Sequence, residues 1–252
     1  MQFAVPYKAD LPRCEANALL ASLLSYGRRE VIVSKLQELF DRLEMPVYDV
    51  LQQESLARVE KRLQGFVYRF NTGQDVIHLL RWWQVFYGAH PSHLALLASL
   101  VEAQHSQTSL PHRTHLKALM TAWLEVWLPP DFLEGGYAYG TRYLVPHPAT
   151  GGACKRLHMA WRWLCRDDAF LGENAVDFGL WSSVIPPHTL LMPMDTHVAR
   201  LSRAWGLLER KSTDWRASEA LTKALAQFNP EDPCRYDFAF LGYGVDEVRG
   251  RL

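Results

Sequence analysis

Two residues of this chain have the side-chain types and local settings that covalent chemistry on a polar substrate requires. Asp195 stands in Pro193-Met194-Asp195-Thr196-His197-Val198-Ala199-Arg200-Leu201, where an apolar approach meets an apolar-periodic helix. A carboxylate at a helix N-terminus is held still and kept ionised by the positive end of the helix dipole. Such a group is suited to stabilising positive charge or to taking a proton. The position is equally that of a favoured N-cap, which satisfies orphan backbone N–H groups, and residue types alone favour that role. Lys155 stands in Gly151-Gly152-Ala153-Cys154-Lys155-Arg156-Leu157-His158-Met159-Ala160-Trp161, a small-residue turn that opens a helix. The dipole disfavours a cation there and favours a neutral amine, the form that Schiff-base chemistry uses. The turn at Gly151 and Gly152 also offers backbone N–H groups to a phosphate. Arg156, His158, Arg162 and Arg166 add positive charge to the same helix. They read either as part of that anion site or as a basic, solvent-exposed face with snorkelling stems.

The elements that must position these groups are helical nearly throughout. Apolar residues recur at helical spacing over 15–26, 31–43, 47–63, 75–87, 92–102 and 113–127. They do so again over 153–166, 195–207, 214–228 and 235–248. Gly27 is a stop for the first helix, Thr72 or Asn71 a cap for the fourth, and Ser92 a cap for the fifth. The segment 131–152 carries Gly135-Gly136, Gly140, Pro146, Pro148 and Gly151-Gly152, which is loop or hairpin chemistry. Strands have almost no support. The pattern predicts an all-α protein of about ten helices: one unit over 1–252 with two lobes. A hairpin-like segment falls near 146–166 and the Asp helix near 195–207.

Composition bounds the function. The chain has 252 residues, 27 basic and 27 acidic, for a formal net charge of zero. That argues against attachment to nucleic acid by bulk charge and leaves room for a local basic face. Cys14, Cys154, Cys165 and Cys234 are scattered, with no metal-ligand spacing, and read as reduced thiols in a cytoplasmic protein. Cys154 beside Lys155 is an activated thiol or a structural one. No apolar run is long enough to span a bilayer and no signal-peptide pattern opens the chain, so a soluble protein is expected. No metal or cofactor is implied.

Gly-x-x-x-Lys opening a helix, followed downstream by an apolar residue and Asp-Thr-His-Val at the start of another, resembles the helix-hairpin-helix DNA glycosylases. Endonuclease III and the 8-oxoguanine glycosylases belong to that superfamily. Its hairpin reads Leu-Pro-Gly-Val-Gly-Arg-Lys and its acid motif Val-Asp-Thr-His. Matched position by position, Lys155 falls on the catalytic lysine and Asp195 on the essential aspartate. Leu23-Leu24-Ser25 is similar to the end of the superfamily's early helix. More closely, nearly the whole chain resembles a bacterial family of unassigned function. The signatures are Leu24 to Glu30, Ala153 to Leu157 (Ala-Cys-Lys-Arg-Leu), Val176 to Trp181 (Val-Asp-Phe-Gly-Leu-Trp) and Tyr236 to Ala239 (Tyr-Asp-Phe-Ala). Three features depart from the glycosylase pattern. Ala153 replaces the hairpin's second glycine and the proline does not match in place. Lys155 and Asp195 stand 40 positions apart, more than in endonuclease III. That enzyme's four-cysteine cluster is absent, with only Cys234 in the region.

The resemblance implies a two-lobed glycosylase-like fold and base-excision repair. A damaged nucleotide, 8-oxoguanine being one option, would be flipped from double-stranded DNA into a pocket. Lys155 would attack the sugar C1′, and Asp195 would stabilise the developing charge. The resulting Schiff base would permit strand cleavage by a monomeric enzyme. Phe178, Trp181 and Trp161 are candidates to stack on the flipped base, or else core residues. His197 orients the acid, contacts phosphate or is structural. Arg28 and Arg29 would contact the DNA backbone. Asp177 is a rival acid for the base pocket or a cap for the helix after it. Two other classes stay open: a nucleic-acid-binding module on the same scaffold without chemistry, and a helical protein binding a ligand or protein through an aromatic cleft.

Overall fold

A computed structural model describes residues 2–105, 116–168 and 176–248. These residues are 63% helix and 4% strand, which makes the chain all-α. The α-helices are α1 (Leu11–Leu23), α2 (Arg29–Leu43), α3 (Val47–Gln53), α4 (Leu56–Leu63), α5 (Gly73–Ala89), α6 (His93–His105) and α7 (Leu116–Trp127). They continue as α8 (Tyr139–Leu144), α9 (Lys155–Cys165), α10 (Thr196–Ala204), α11 (Trp215–Leu225) and α12 (Asp237–Val248). A two-stranded antiparallel hairpin pairs β1 (Val67–Tyr68) with β2 (Asn71–Thr72), in register Val67 to Thr72 and Tyr68 to Asn71. The chain divides into two units, Met1–Ser109 with Ala118–Pro146, and Leu110–Lys117 with His147–Leu252.

In the first unit α1 is the central helix. Asp10 caps it, accepting from the Arg13 N–H at 3.2 Å, and every residue from Cys14 to Leu24 is buried. One of these is Glu15. Its two oxygens accept the N–H groups of His93 (3.0 Å) and Leu94 (2.9 Å), so a carboxylate from α1 caps α6. Ser92 completes the cap by accepting from Ala95 at 3.0 Å. Beside it His93 is buried among Trp83, Phe86, Trp123 and Trp127. Burial pushes its imidazole down to about 3. The neutral ring accepts the Trp123 indole N–H on Nδ1 at 3.2 Å.

The helix expected over 47–63 is two helices. Glu54 is extended between α3 and α4, and its carboxylate meets Arg62 of α4 at 2.7 Å. A helical period continues across such a break because both pieces bury the same side, with Val47, Val50, Leu51, Val59 and Leu63 all inside. The segment read as loop over 131–152 contains α8. It is helical because α5 and the hairpin hold it. Asp75 forms a capping box with Thr72 at the start of α5, and its other oxygen accepts the Thr141 hydroxyl of α8 at 2.6 Å. Asn71 donates to the Gly140 carbonyl at 2.7 Å. A side chain at Gly140 would collide with the Phe70 carbonyl and the Asp75 carboxylate, so only glycine permits this approach. The start expected at 113 for the helix that became α7 lies outside the described residues.

In the second unit α10 packs on α12, and α11 packs on the 3-10 turn Pro233–Tyr236 that leads into α12. Met192, Met194, Val198, Leu201, Leu221 and Phe240 form the centre of its apolar core. No helix among the described residues is long and apolar enough to cross a membrane.

Glu15→Gln keeps the shape of the α6 cap but replaces one acceptor oxygen with a donor that faces a backbone N–H. We expect a loss of about 2 kcal/mol in unfolding free energy, measured by urea denaturation. An unchanged midpoint would show that Glu15 does not hold α6.

Candidate active site at the start of α9

Lys155 is the first residue of α9 and Asp195 the residue that caps α10. The chain reaches α9 through the 3-10 turn Pro148–Thr150, then Gly151 at φ +77, then Cys154 at φ +44. A left-handed cysteine just before the helix turns its axis at a conformational cost. The Cys154 carbonyl still opens the helix ladder, accepting from Leu157 at 2.9 Å and His158 at 3.1 Å. Trp215 N–H donates to the Gly151 carbonyl at 3.0 Å, which ties this turn to the start of α11.

From this turn Lys155 reaches across the 40 intervening positions to Asp195. Its Nζ lies 3.0 Å from Oδ2. Asp195 Oδ1 accepts the Val198 N–H at 2.8 Å. The acid is therefore an N-cap and an ion-pair partner at once, with one oxygen for each. The side chains remain 37% and 27% exposed, so solvent reaches both. Burial works against ionisation of Asp195. The Lys155 charge, the Val198 N–H and the Lys155 hydrogen bond outweigh it, with His197 adding to them, and the carboxyl lies below its usual range.

Other candidates take different places. Arg156, His158 and Arg162 of α9, and Arg166 at its C-cap, are neither a solvent-exposed face nor a phosphate clamp: all four are buried. Asp177 is buried with them. It pairs with Arg162 at 3.1 Å and closely with Arg166. Arg162 also meets Asp237 at 3.2 Å, and Arg166 meets Asp232 at 2.7 Å. Burial pushes the Asp177 carboxyl up to about 6 against the pull of the two arginines. Asp177 is thus an interior counter-ion, closed to solvent, and neither of the roles expected of it. His158 lies on the Trp215 ring with centroids 4.7 Å apart, and burial pushes it down to about 3.

Phe178 and Trp181 are core residues. Their backbone N–H groups donate to the Trp163 and Leu164 carbonyls at 2.6 and 2.7 Å, which satisfies the end of α9. Trp181 meets Trp161 edge to face at 5.9 Å, and all three rings are buried, leaving no face open to a base. Cys154 is buried, and burial raises its thiol to about 12, away from the thiolate that an activated cysteine needs. The Gly151 N–H donates to the Pro148 carbonyl at 3.0 Å and is taken up within the turn, whereas Gly152 is exposed. His197 is exposed beside the acid. Arg28 and Arg29, at the start of α2 in the first unit, are exposed.

Sequence reasoning missed Asp237. It begins α12, within the Tyr-Asp-Phe-Ala signature, and Arg162 both pairs with it and lies over the Phe238 ring at 4.6 Å. Burial raises its carboxyl above the usual value, Arg162 and Lys155 oppose that rise, and Asp195 adds to it. Asp237 therefore stands within electrostatic reach of the exposed pair. An acid opening an aromatic helix was the available signal.

A family described as a protein of unknown function, DUF2400, matches residues 2–246. The chain belongs to that family. The match spans both units and every residue of the site. No curated protein and no solved structure matches the chain.

A carboxyl held below its unfolded value adds stability above that value and loses it as the pH falls through the folded one. We expect the wild-type chain to be more stable than Asp195→Asn at neutral pH. The gap should close below about pH 4, read by urea denaturation at a series of pH values. A gap that widens in acid would speak against the pair. Asp177→Asn, which leaves two buried arginines short of a counter-ion, should cost about 3 kcal/mol or more in the same assay. A cost near zero would remove it from the scaffold.

Proposed function

We propose that this chain is a DNA glycosylase with lyase activity, in which Lys155 is the nucleophile and Asp195 its partner acid. The observation that carries the reading is the 3.0 Å contact between Nζ and Oδ2 at the first turns of two helices, open to solvent. An accessible lysine whose partner acid is held still by its other oxygen is the arrangement that a nucleophile and its base would use, and this supports the reading. The resemblance of the turn at 151–155 and of Asp195-Thr196-His197-Val198 to the helix-hairpin-helix glycosylases supplies the substrate class, duplex DNA with a damaged base.

The chemistry follows from the pair. Nζ passes one proton to the Asp195 carboxylate, and the lone pair so freed forms a bond to the sugar C1′. The bond from C1′ to the base breaks, and the base leaves with its electron pair and takes a proton from Asp195. A second proton leaves Nζ, its lone pair forms the C=N bond, and the C1′–O4′ bond opens with O4′ taking a proton. The product is a Schiff base. Loss of a C2′ proton then expels the 3′ phosphate, and water hydrolyses the imine. Each proton transfer by a positioned acid is worth about 10²–10⁴-fold.

A nucleic-acid-binding module without this chemistry is the second reading. It is favoured by the turn itself, where Ala153 replaces a glycine and the Gly151 N–H is spent on Pro148.

The test is borohydride trapping on duplexes that carry 8-oxoguanine, an abasic site or other lesions. The wild-type chain should give a covalent adduct on at least one of them. Lys155→Ala should give none, and Asp195→Asn should slow adduct formation by roughly a hundredfold or more. No adduct from the wild type on any lesion, with salt-sensitive binding to intact duplex, would leave the second reading.

A further inference from the structure

The first unit carries an exposed cluster that the proposed chemistry does not use. The β1–β2 hairpin turns at Arg69-Phe70. Arg69 has φ +53, a conformation that two-residue hairpin turns ordinarily give to glycine, asparagine or aspartate. Phe70, next to it, is 46% exposed, and Tyr139 of α8 is 60% exposed. The hairpin tip therefore displays a cation and an aromatic ring where a small polar pair would fold more easily.

These side chains form one surface. Phe70 meets Tyr139 at 5.7 Å and Tyr143 at 4.9 Å, and Tyr143 meets Tyr26 at 5.1 Å, each edge to face. The Arg69 guanidinium lies 5.9 Å from the Tyr26 ring centre and 5.8 Å from that of Phe70. The surface is braced from below: the Tyr26 hydroxyl donates to Asn71 Oδ1 at 2.5 Å, and Asn71 holds α8 through Gly140. The charge around it is one-sided. At the surface, residues 26–30, 67–72 and 138–144 carry Arg28, Arg29, Arg69 and Arg142 against Glu30, in a chain of zero net charge; Asp75 lies buried beneath, its oxygens taken by Thr72 and Thr141. All four arginines are exposed.

Open rings set among cations with one acid fit a polyanion whose bases present π-faces; each stacked base is held by the ring and each phosphate by a guanidinium. A protein partner would need an acidic face to answer four arginines, whereas every nucleotide of a strand brings its own phosphate charge. The geometry points to a docking site for an unpaired DNA strand, with bases on Phe70 and Tyr139 and phosphates on Arg28, Arg29, Arg69 and Arg142. The choice of DNA over RNA rests on the proposed function; the strand site itself does not.

The test is fluorescence anisotropy of the full chain with a fluorescein-labelled oligothymidylate. The wild type should bind it, and more weakly as salt is raised. Phe70→Ala and Tyr139→Ala should each bind about tenfold more weakly. Arg69→Gly should also bind more weakly while melting no lower than the wild type, because glycine takes a positive φ without strain; its loss of binding then cannot be a loss of fold. The inference is overturned by any of four results: no binding by the wild type, unchanged affinity in Arg69→Gly and Tyr139→Ala, tighter binding of blunt duplex or oligouridylate, or a wild-type dimer that Tyr139→Ala dissociates. The probe carries no lesion. A chain that binds it but forms no borohydride adduct keeps this strand site and loses the lyase reading, and the converse result separates them the other way.

Discussion

Two arginines enter the interior of the second unit, and three aspartates make that possible. An unpaired guanidinium or carboxylate in an apolar interior costs several kcal/mol. Arg162 and Arg166 therefore have to meet Asp177, Asp232 and Asp237 wherever the chain can bring them. Those acids come from the segment before Phe178, from the turn ahead of α12 and from the first residue of α12. One set of charges thus fixes α9 to three later stretches of chain. Lys155 is the first residue of that helix, and its reach to Asp195 depends on how firmly the rest of α9 is held.

The acids of this unit are chemically alike and electrostatically different. Asp195 sits at a partly open helix end and is held below its usual range by a lysine and a backbone N–H. Asp177 is closed off from water and is pushed up to about 6 although two arginines touch it. Asp237 lies between, half-buried and raised, sharing Arg162 with the interior and the field of Lys155 with the exposed pair. Environment keeps the first ionised at the surface and makes the second an interior counter-ion.

Helices were legible where a cap was recognised: Thr72, Ser92, Asp195 and Asp214 stand ahead of helices as capping residues. The first helix starts at Leu11 behind Asp10, with Pro12 in its first turn, four residues before the start expected at 15. The break at Glu54 was not legible, because α3 and α4 bury a common side and the period runs on. Helix α8 was hidden for the opposite reason: six residues containing Gly140 have little propensity of their own, and contacts from Asn71 and Asp75 make them a helix. At the site, the types of Lys155 and Asp195 and their places at helix starts were readable, while their separation of 3.0 Å is a property of the fold. The basic residues of α9 were misread for a related cause. The aspartates that Arg162 and Arg166 meet lie 11 to 75 positions away, and nothing local says whether an arginine faces water or an aspartate. Phe178 and Trp181 gave the signal of large aromatic residues, which core and binding pocket share.

Asp195 divides its work between its two oxygens: Oδ1 belongs to α10 and Oδ2 to Lys155. An incoming group that draws Lys155 away releases only the second. The cap of α10 therefore does not depend on the Lys155 contact: without it, Oδ1 still holds the Val198 N–H. Each charge of the pair answers the other, so two helix starts meet at the surface with little net charge between them.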